Sequence, residues 1–253
     1  MVQTREKPQV PGKAASTWTG SAREQAVQRM FTAIARFYDL NNSLLSFGLH
    51  HSWKRKAVSY IPARPGTRAL DLGAGTCDLA ILLDERFHRS DQVCAADLNE
   101  AMLRVGQKKV RDQQSSGGIS CLQMNAEHLT FPDESFETVT AGFCVRNVGN
   151  LARALGEICR VLKPGGRFVC LEFSRPVSPV FRKLYDWYSF RLLPWIGTVV
   201  AGDGTGVYEY LPASIRNFPH QQRLCELLTE AGFQSVEYHN LTGGIVAIHV
   251  AVK

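Results

Sequence analysis

The sequence predicts an α/β fold: a doubly wound, mostly parallel seven-stranded sheet, preceded by helices and carrying a helical insert over its ligand-binding edge. Three observations carry this expectation. Residues 69–72 form a short apolar run that stops at Gly73-Ala74-Gly75, and residues 76–87 then take the spacing of a helix. Four further β-rich runs follow, at 92–96, 119–124, 138–143 and 167–173, and helical stretches or turns separate them. Two last β-rich runs, 233–238 and 245–252, read as a hairpin at the sheet edge. Strands alternating with helices are what a parallel sheet with right-handed crossovers requires.

In chain order, residues 1–20 are polar, contain Pro8, Pro11 and Gly12, and lack periodicity, so they predict a flexible tail. The remainder, 21–253, reads as a single domain. Val27, Met30, Phe31, Ile34 and Phe37 recur at helical spacing, and residues 43–60 hold a second helical run. Together they predict a helical cap over 21–62, placed before the first strand. Residues 99–113 form a helix with a basic exposed face, Arg104, Lys108, Lys109 and Arg111, and 115–118 form a loop. A helix over 151–162 ends at Lys163-Pro164-Gly165-Gly166. Residues 177–220 break the alternation and read as an insert covering the substrate. Their segment 181–200 is rich in aromatic and aliphatic side chains, as a core-packed helix would be, or as a surface for a greasy ligand or a membrane. Residues 221–231 form a clear helix ended by Gly232.

Composition narrows the function. With 253 residues and 45% apolar content the chain is long enough to bury one sizeable core. The net charge of +6 is spread along the sequence without a basic cluster, which argues against a nucleic-acid partner and is compatible with an anionic membrane surface. Seven cysteines, scattered and without a C-x-x-C pair, point to a reducing, cytoplasmic compartment and to no metal site. No stretch approaches the roughly 18 apolar residues that cross a bilayer. A cytoplasmic protein, peripheral at most to the inner membrane face, is expected.

The glycine turn suggests the ligand. In nucleotide-binding βαβ units the backbone approaches a cofactor at such glycines, and an acid at the end of the second strand, here Asp97, accepts hydrogen bonds from ribose hydroxyls. A dinucleotide fingerprint needs a third glycine; here Asp78 follows Gly73 and Gly75, and an acid there would repel a diphosphate. Asp71, at the end of the first strand, gives the D-x-G-x-G form that suits a cationic ligand without phosphates, such as S-adenosylmethionine. Asn125-Ala126, at the third strand's end, adds an amide for a purine edge. A lone G-x-G is otherwise merely a turn between strand and helix.

Several segments then resemble one family. YDLNNSLLSFGLHHSWKR from Tyr38, DLGAGTCDL from Asp71, FCVRNV from Phe143, RVLKPGGRFVCLEFSRP from Arg160 and YEYLPASIRNFP from Tyr208 are similar to the ubiquinone/menaquinone biosynthesis C-methyltransferases, the UbiE or MenG family. These belong to the class I S-adenosylmethionine-dependent methyltransferases, whose sheet is Rossmann-like. The resemblance implies transfer of the sulfonium methyl to a ring carbon of a demethylated polyprenyl quinol. It implies that Thr76, Asp97, Asn125 and Ala126 contact S-adenosylmethionine, with Gly73 and Gly75 shaping the pocket. Gly142 stands where the bacterial family often has serine, so it is left outside the expected site. A homodimer, or membership of a quinone-synthesis complex, remains open.

Catalysis is expected at Arg146 and Asn147. A ring carbon is a weak nucleophile until its phenol loses a proton, which in water happens near pH 10. An arginine stays protonated above about pH 12, so Arg146 is read as stabilising the developing phenolate, and Asn147 as holding a water. Read structurally, Arg146 is an ion pair at the strand end. Tyr38, Asn41, Tyr210 and Arg216, in the family-specific segments, are candidate lining for the quinol head group. His50-His51 is read as exposed or helix-packing, since adjacent helical residues point apart. Other readings are a methyltransferase for another small aromatic or lipid acceptor, and a non-catalytic binding subunit.

Overall fold

Strand β1 (Ala69–Leu72) is buried at every position, so alternate side chains feed apolar cores on both faces of one sheet. A computed structural model describes residues 20–64, 66–88, 92–113, 118–187 and 207–253. Residues 1–19 of the tail expected over 1–20, most of the 115–118 loop, the apolar stretch from 188 onward and the glycine-rich loop at 202–206 lie outside the described residues, and Gly20 opens the first helix. The other strands are β2 (Val93–Asp97), β3 (Ile119–Gln123), β4 (Phe136–Gly142), β5 (Leu162–Phe173), β6 (Ser235–Leu241) and β7 (Val246–Val252). They form one seven-stranded sheet in the order β3-β2-β1-β4-β5-β7-β6. The first five are parallel. The closing hairpin is inserted with its second strand inward: β7 pairs antiparallel with both β5 and β6.

Helices cover both faces. On one lie α3 (Leu49–Ser59), α4 (Asp78–Arg86) and α5 (Glu100–Asp112), where Trp53, Ala57, Leu83 and Val110 pack over Ala69, Ala95 and Val169. On the other, α6 (Leu151–Val161) and α9 (Gln221–Glu230) bring Leu155, Ile158, Leu224 and Leu228 onto Leu70, Leu72 and Phe168. Each such leucine or isoleucine, fully buried, contributes about 1.5–3 kcal/mol. Between these two helices the chain forms α7 (Pro179–Trp187) and α8 (Val207–Asn217).

The N-terminal cap differs from expectation. Two helices were predicted; there are three, because α1 (Gly20–Ile34) is followed by a short 3-10 turn, α2 (Tyr38–Leu45), and then α3. The break between α2 and α3 falls at Phe47 and Gly48, both at positive φ (50° and 75°), a conformation no continuous helix accepts. Polar contacts tie this cap to the sheet: Arg23 Nη2 donates to the Arg146 carbonyl at 3.0 Å, and Trp53 Nε1 donates to Thr242 Oγ1 at 2.9 Å.

Register sets the position of the site. Leu72 pairs with Ala96 in β2 and Ala141 in β4, so Gly73, Asp97 and Gly142 leave the sheet at one level. From β1 the chain runs outward through β2 and β3 and then crosses back to β4 on the other side of β1, and this reversal of strand order opens a crevice at the strand ends.

Candidate active site

The turn after β1 is shaped by what lies behind it. Gly73 has φ 65°, and a Cβ there would overlap Sγ and Cβ of Cys144. Beneath the turn, Asp71 Oδ2 accepts from the Ala80 amide at 3.0 Å and Oδ1 accepts from Thr140 Oγ1 at 2.8 Å. Burial pushes the Asp71 carboxyl up to about 7. Gly75 N donates to Asp97 Oδ2 at 2.8 Å and Asn99 N donates to Oδ1 at 2.7 Å. Each carboxylate oxygen of Asp97 thus keeps further acceptor capacity.

A cavity opens above the turn, lined by Gly73, Gly75, Asp97, Asn125, Ala126, Gly142 and Asn147. Helix α1 closes it with Glu24, Val27, Gln28 and Phe31. Asn125 Oδ1 accepts from the Glu127 amide at 2.9 Å, and its Nδ2 donates to Glu24 Oε1 at 3.2 Å. Asn99 Nδ2 donates to the Gln28 carbonyl at 2.9 Å, fixing α1 over the opening.

A second cavity adjoins it, walled by Met30, Ile34, Trp53, Phe173 and Leu211, with Asn41, His50, Arg146 and Tyr210 among them. Phe31, Tyr38 and Phe143 line both cavities and form their common wall. Phe143 holds φ 56°, a strained conformation for an aromatic residue, and its ring lies 4.7 Å from that of Phe173. Arg146 Nη1 pairs with Glu172 Oε1 at 2.6 Å and donates to the Phe143 carbonyl at 2.8 Å. Burial opposes its charge, but Glu172, Tyr210 and Tyr38 together outweigh it and the Arg146 pKa is raised, so the guanidinium stays protonated. Tyr210 donates its hydroxyl hydrogen to Asn147 Oδ1 at 2.9 Å, linking the two cavities.

Most of the expected residues converge here. Gly73, Gly75, Asp97, Asn125 and Ala126 line the first cavity, and Tyr38, Asn41, Arg146 and Tyr210 line the second. Asp71 and Thr76 instead line a small side cavity beneath the turn, with Tyr38 and Lys54. The Thr76 hydroxyl donates to Asp39 Oδ1 at 2.6 Å, which ties the turn to α2. Asn147 engages Tyr210 and, through Nδ2 at 3.3 Å, the Phe143 carbonyl. Its side chain therefore holds two protein groups, and Oδ1 keeps one lone pair and Nδ2 one hydrogen besides. Arg216 is exposed and outside the lining of both cavities. Gly142, set aside in the sequence, does line the first cavity, through its backbone.

Asp78 also requires correction. Lys54 Nζ lies 2.5 Å from its Oδ2 and Lys109 pairs with Oδ1. Burial alone would raise its pKa, but the two lysines pull it down to about 2. Its charge is cancelled locally, so repulsion of a diphosphate does not follow from it. The sequence reading also missed His50, Trp53, Phe143 and Phe173, whose aromatic character is legible but whose convergence depends on the cap packing over β4 and β5.

An open sheet with a glycine turn and an acid at the second strand end is the Rossmann-like fold of class I S-adenosylmethionine-dependent methyltransferases. A solved structure with this fold is a possible histamine N-methyltransferase from Thermotoga maritima (TM-score 0.61, 20% identity, covering 89% of this chain and 99% of that one). The chain belongs to the ubiE/COQ5 methyltransferase family, whose sequence profile matches residues 19–253. Relatives include the ubiquinone/menaquinone biosynthesis C-methyltransferase UbiE of Vibrio vulnificus, 46% identical over 239 residues (93% of this chain, 92% of that protein). The protein of the same name from Francisella philomiragia is 43% identical over 231 residues (91% and 92%). The protein is accordingly a methyltransferase.

Proposed function

We propose that this enzyme transfers a methyl group from S-adenosylmethionine to a ring carbon of a demethylated polyprenyl quinol, a naphthoquinol or the corresponding benzoquinol. The observation that carries the reading is the pair of cavities with a common wall, one built at the strand ends with Asp97, Asn125 and Asn147 in its lining, the other walled by aromatic and aliphatic side chains and holding a buried arginine. The relatives' names support the same acceptor chemistry.

The first cavity fits the methyl donor. Asp97 has acceptor capacity left for a ribose diol, Asn125 and Ala126 lie where an adenine edge would sit, and Gly73 and Gly75 bring bare backbone to the cavity wall. Bound there, S-adenosylmethionine supplies an electrophilic methyl on sulfur, which the ring carbon displaces. The second cavity holds the acceptor ring against Phe143 and Phe173, and desolvation by these walls strengthens any charge interaction within it. Arg146 stabilises negative charge building on the ring oxygen, and Glu172 keeps the guanidinium in place. Alignment of the reacting atoms across the common wall supplies much of the remaining rate.

Exposed apolar side chains on and beside α2 and on α7 favour contact with a membrane surface from which a polyprenyl substrate is drawn. Phe47 is 81% exposed, and Phe37, Leu40, Leu44, Val180 and Trp187 are exposed as well. No helix among the described residues is long and apolar enough to cross a membrane.

The test is incubation of the purified chain with methyl-deuterated S-adenosylmethionine and reduced short-chain demethylmenaquinol or its benzoquinol counterpart, followed by mass spectrometry. Ring-deuteromethylated quinol is expected, and comparing the two acceptors tells which the enzyme uses. Cofactor binding by calorimetry without any labelled product would overturn the catalytic reading.

A further inference from the structure

Two side chains that line the second cavity each keep a buried polar atom with no partner among the described residues: Nε of Arg146 and Nε2 of His50. Protonated arginine makes the first a donor. The second is defined by its neighbours. His50 sits in the first turn of α3, 3% exposed, and its Nδ1 lies 2.9 Å from Ser46 Oγ. Ser46 has one hydroxyl hydrogen, which it gives to the Asn42 carbonyl at 2.6 Å, while its oxygen also accepts the His50 amide at 3.3 Å. No hydrogen is left for Nδ1 to accept. Nδ1 must therefore carry the ring hydrogen and donate it to Ser46, and Nε2 carries a lone pair. Burial, then Lys54 and His51, hold the imidazole neutral by lowering its pKa to about 4; Asp78 and Asp39 offset this only in part.

An acceptor left without a partner on a residue that lines the same cavity as Trp53, Tyr38 and Phe143 is costly until a ligand hydroxyl reaches it. We propose that Nε2 of His50 binds a hydroxyl of the acceptor ring and takes its proton as the ring carbon is methylated. The inference rests on the quinol reading above. Its proton balance closes. The hydroxyl proton moves to Nε2 while the ring C–O bond gains double-bond character and the carbon–methyl bond forms as the methyl–sulfur bond breaks. The ring carbon then loses its own proton to water, and the imidazolium returns its proton to the oxygen. One proton is released per methyl, and His50 ends neutral. Ser46 is a positioning residue that fixes the tautomer.

The experiment compares binding of two ligands to the full chain by calorimetry: a reduced short-chain demethylnaphthoquinol and its di-O-methyl ether, which has no hydroxyl to donate. Wild type is expected to prefer the free quinol, and His50→Phe to weaken quinol binding roughly ten- to thirty-fold while leaving the ether nearly unchanged. His50→Gln, which restores an acceptor, should recover part of the loss. A merely structural histidine would weaken both ligands alike, and that result, or no loss for the quinol, overturns the assignment. Failure of the wild type to bind or methylate the quinol would instead remove the quinol reading, and the His50 role with it.

Discussion

The Arg146–Glu172 pair separates a structural arginine from a functional one. Both side chains are nearly inaccessible, 6% and 1% exposed, and Glu172 also accepts from the Phe173 amide at 2.8 Å. Glu172→Leu leaves the Arg146 guanidinium buried without its counter-charge, which costs about 3–5 kcal/mol. In a chain of 253 residues, at about 2–4 °C per kcal/mol, Tm should fall by about 6–20 °C. Replacing both partners, Arg146→Met with Glu172→Leu, removes the unpaired charge and should return stability to within about 2 kcal/mol of the parent. The remaining deficit reflects the lost hydrogen bond to the Phe143 carbonyl and the stacking of Arg146 on Phe173 at 5.2 Å. Turnover should not return with it: loss of a charge aimed at a developing oxyanion costs about 10²–10³ in kcat. Thermal melts followed by circular dichroism and labelled-methyl turnover on the same preparations provide the readouts. A refolded double variant with near-parental turnover would refute the role of Arg146 in stabilising charge, and an unchanged Tm for Glu172→Leu would refute the ion-pair reasoning itself.

Three further outcomes are expected. Asp97→Ala removes a carboxylate that has acceptor capacity left at the first cavity, and calorimetry should show S-adenosylmethionine bound at least tenfold more weakly. Gly73→Ala adds a methyl that collides with Cys144 at φ 65°, so melting should show a loss of about 1–3 kcal/mol; Cys144→Gly in the same chain should relieve the collision but not the backbone strain. The Asp78 carboxyl, lowered from 3.8 to about 2, stabilises the fold above about pH 4 and ceases to do so as pH falls through 2. Asp78→Asn should therefore be roughly 2 kcal/mol less stable than the parent at pH 7, with the gap closing between pH 4 and 2 in denaturant titrations.

By itself the sequence determined the alternation of strands and helices, the position of the glycine turn and the acid at Asp97, because these depend on local periodicity and on residues with special backbone or charge. It also placed Arg146, Tyr38 and Tyr210 in segments that mark the family, and all three line the second cavity. What depends on partners distant in the chain was decided by the tertiary structure. Asp78 reads as a bare charge until Lys54 and Lys109 arrive from α3 and α5 to neutralise it. Asn147 offers no visible partner in the sequence, whereas the fold brings Tyr210, 63 positions away, to donate to it. Gly142 reads as a lost side-chain contact, yet pairing of β4 with β1 brings its backbone to the cavity. His50 reads as one of two adjacent histidines pointing apart, but the break at Phe47 and Gly48 turns α3 so that its ring is buried at the cavity, with Ser46 deciding which nitrogen bears the hydrogen. Periodicity reports which side of a helix is apolar; only packing determines which polar atom is left without a partner, and that unsatisfied atom is where a ligand finds its place.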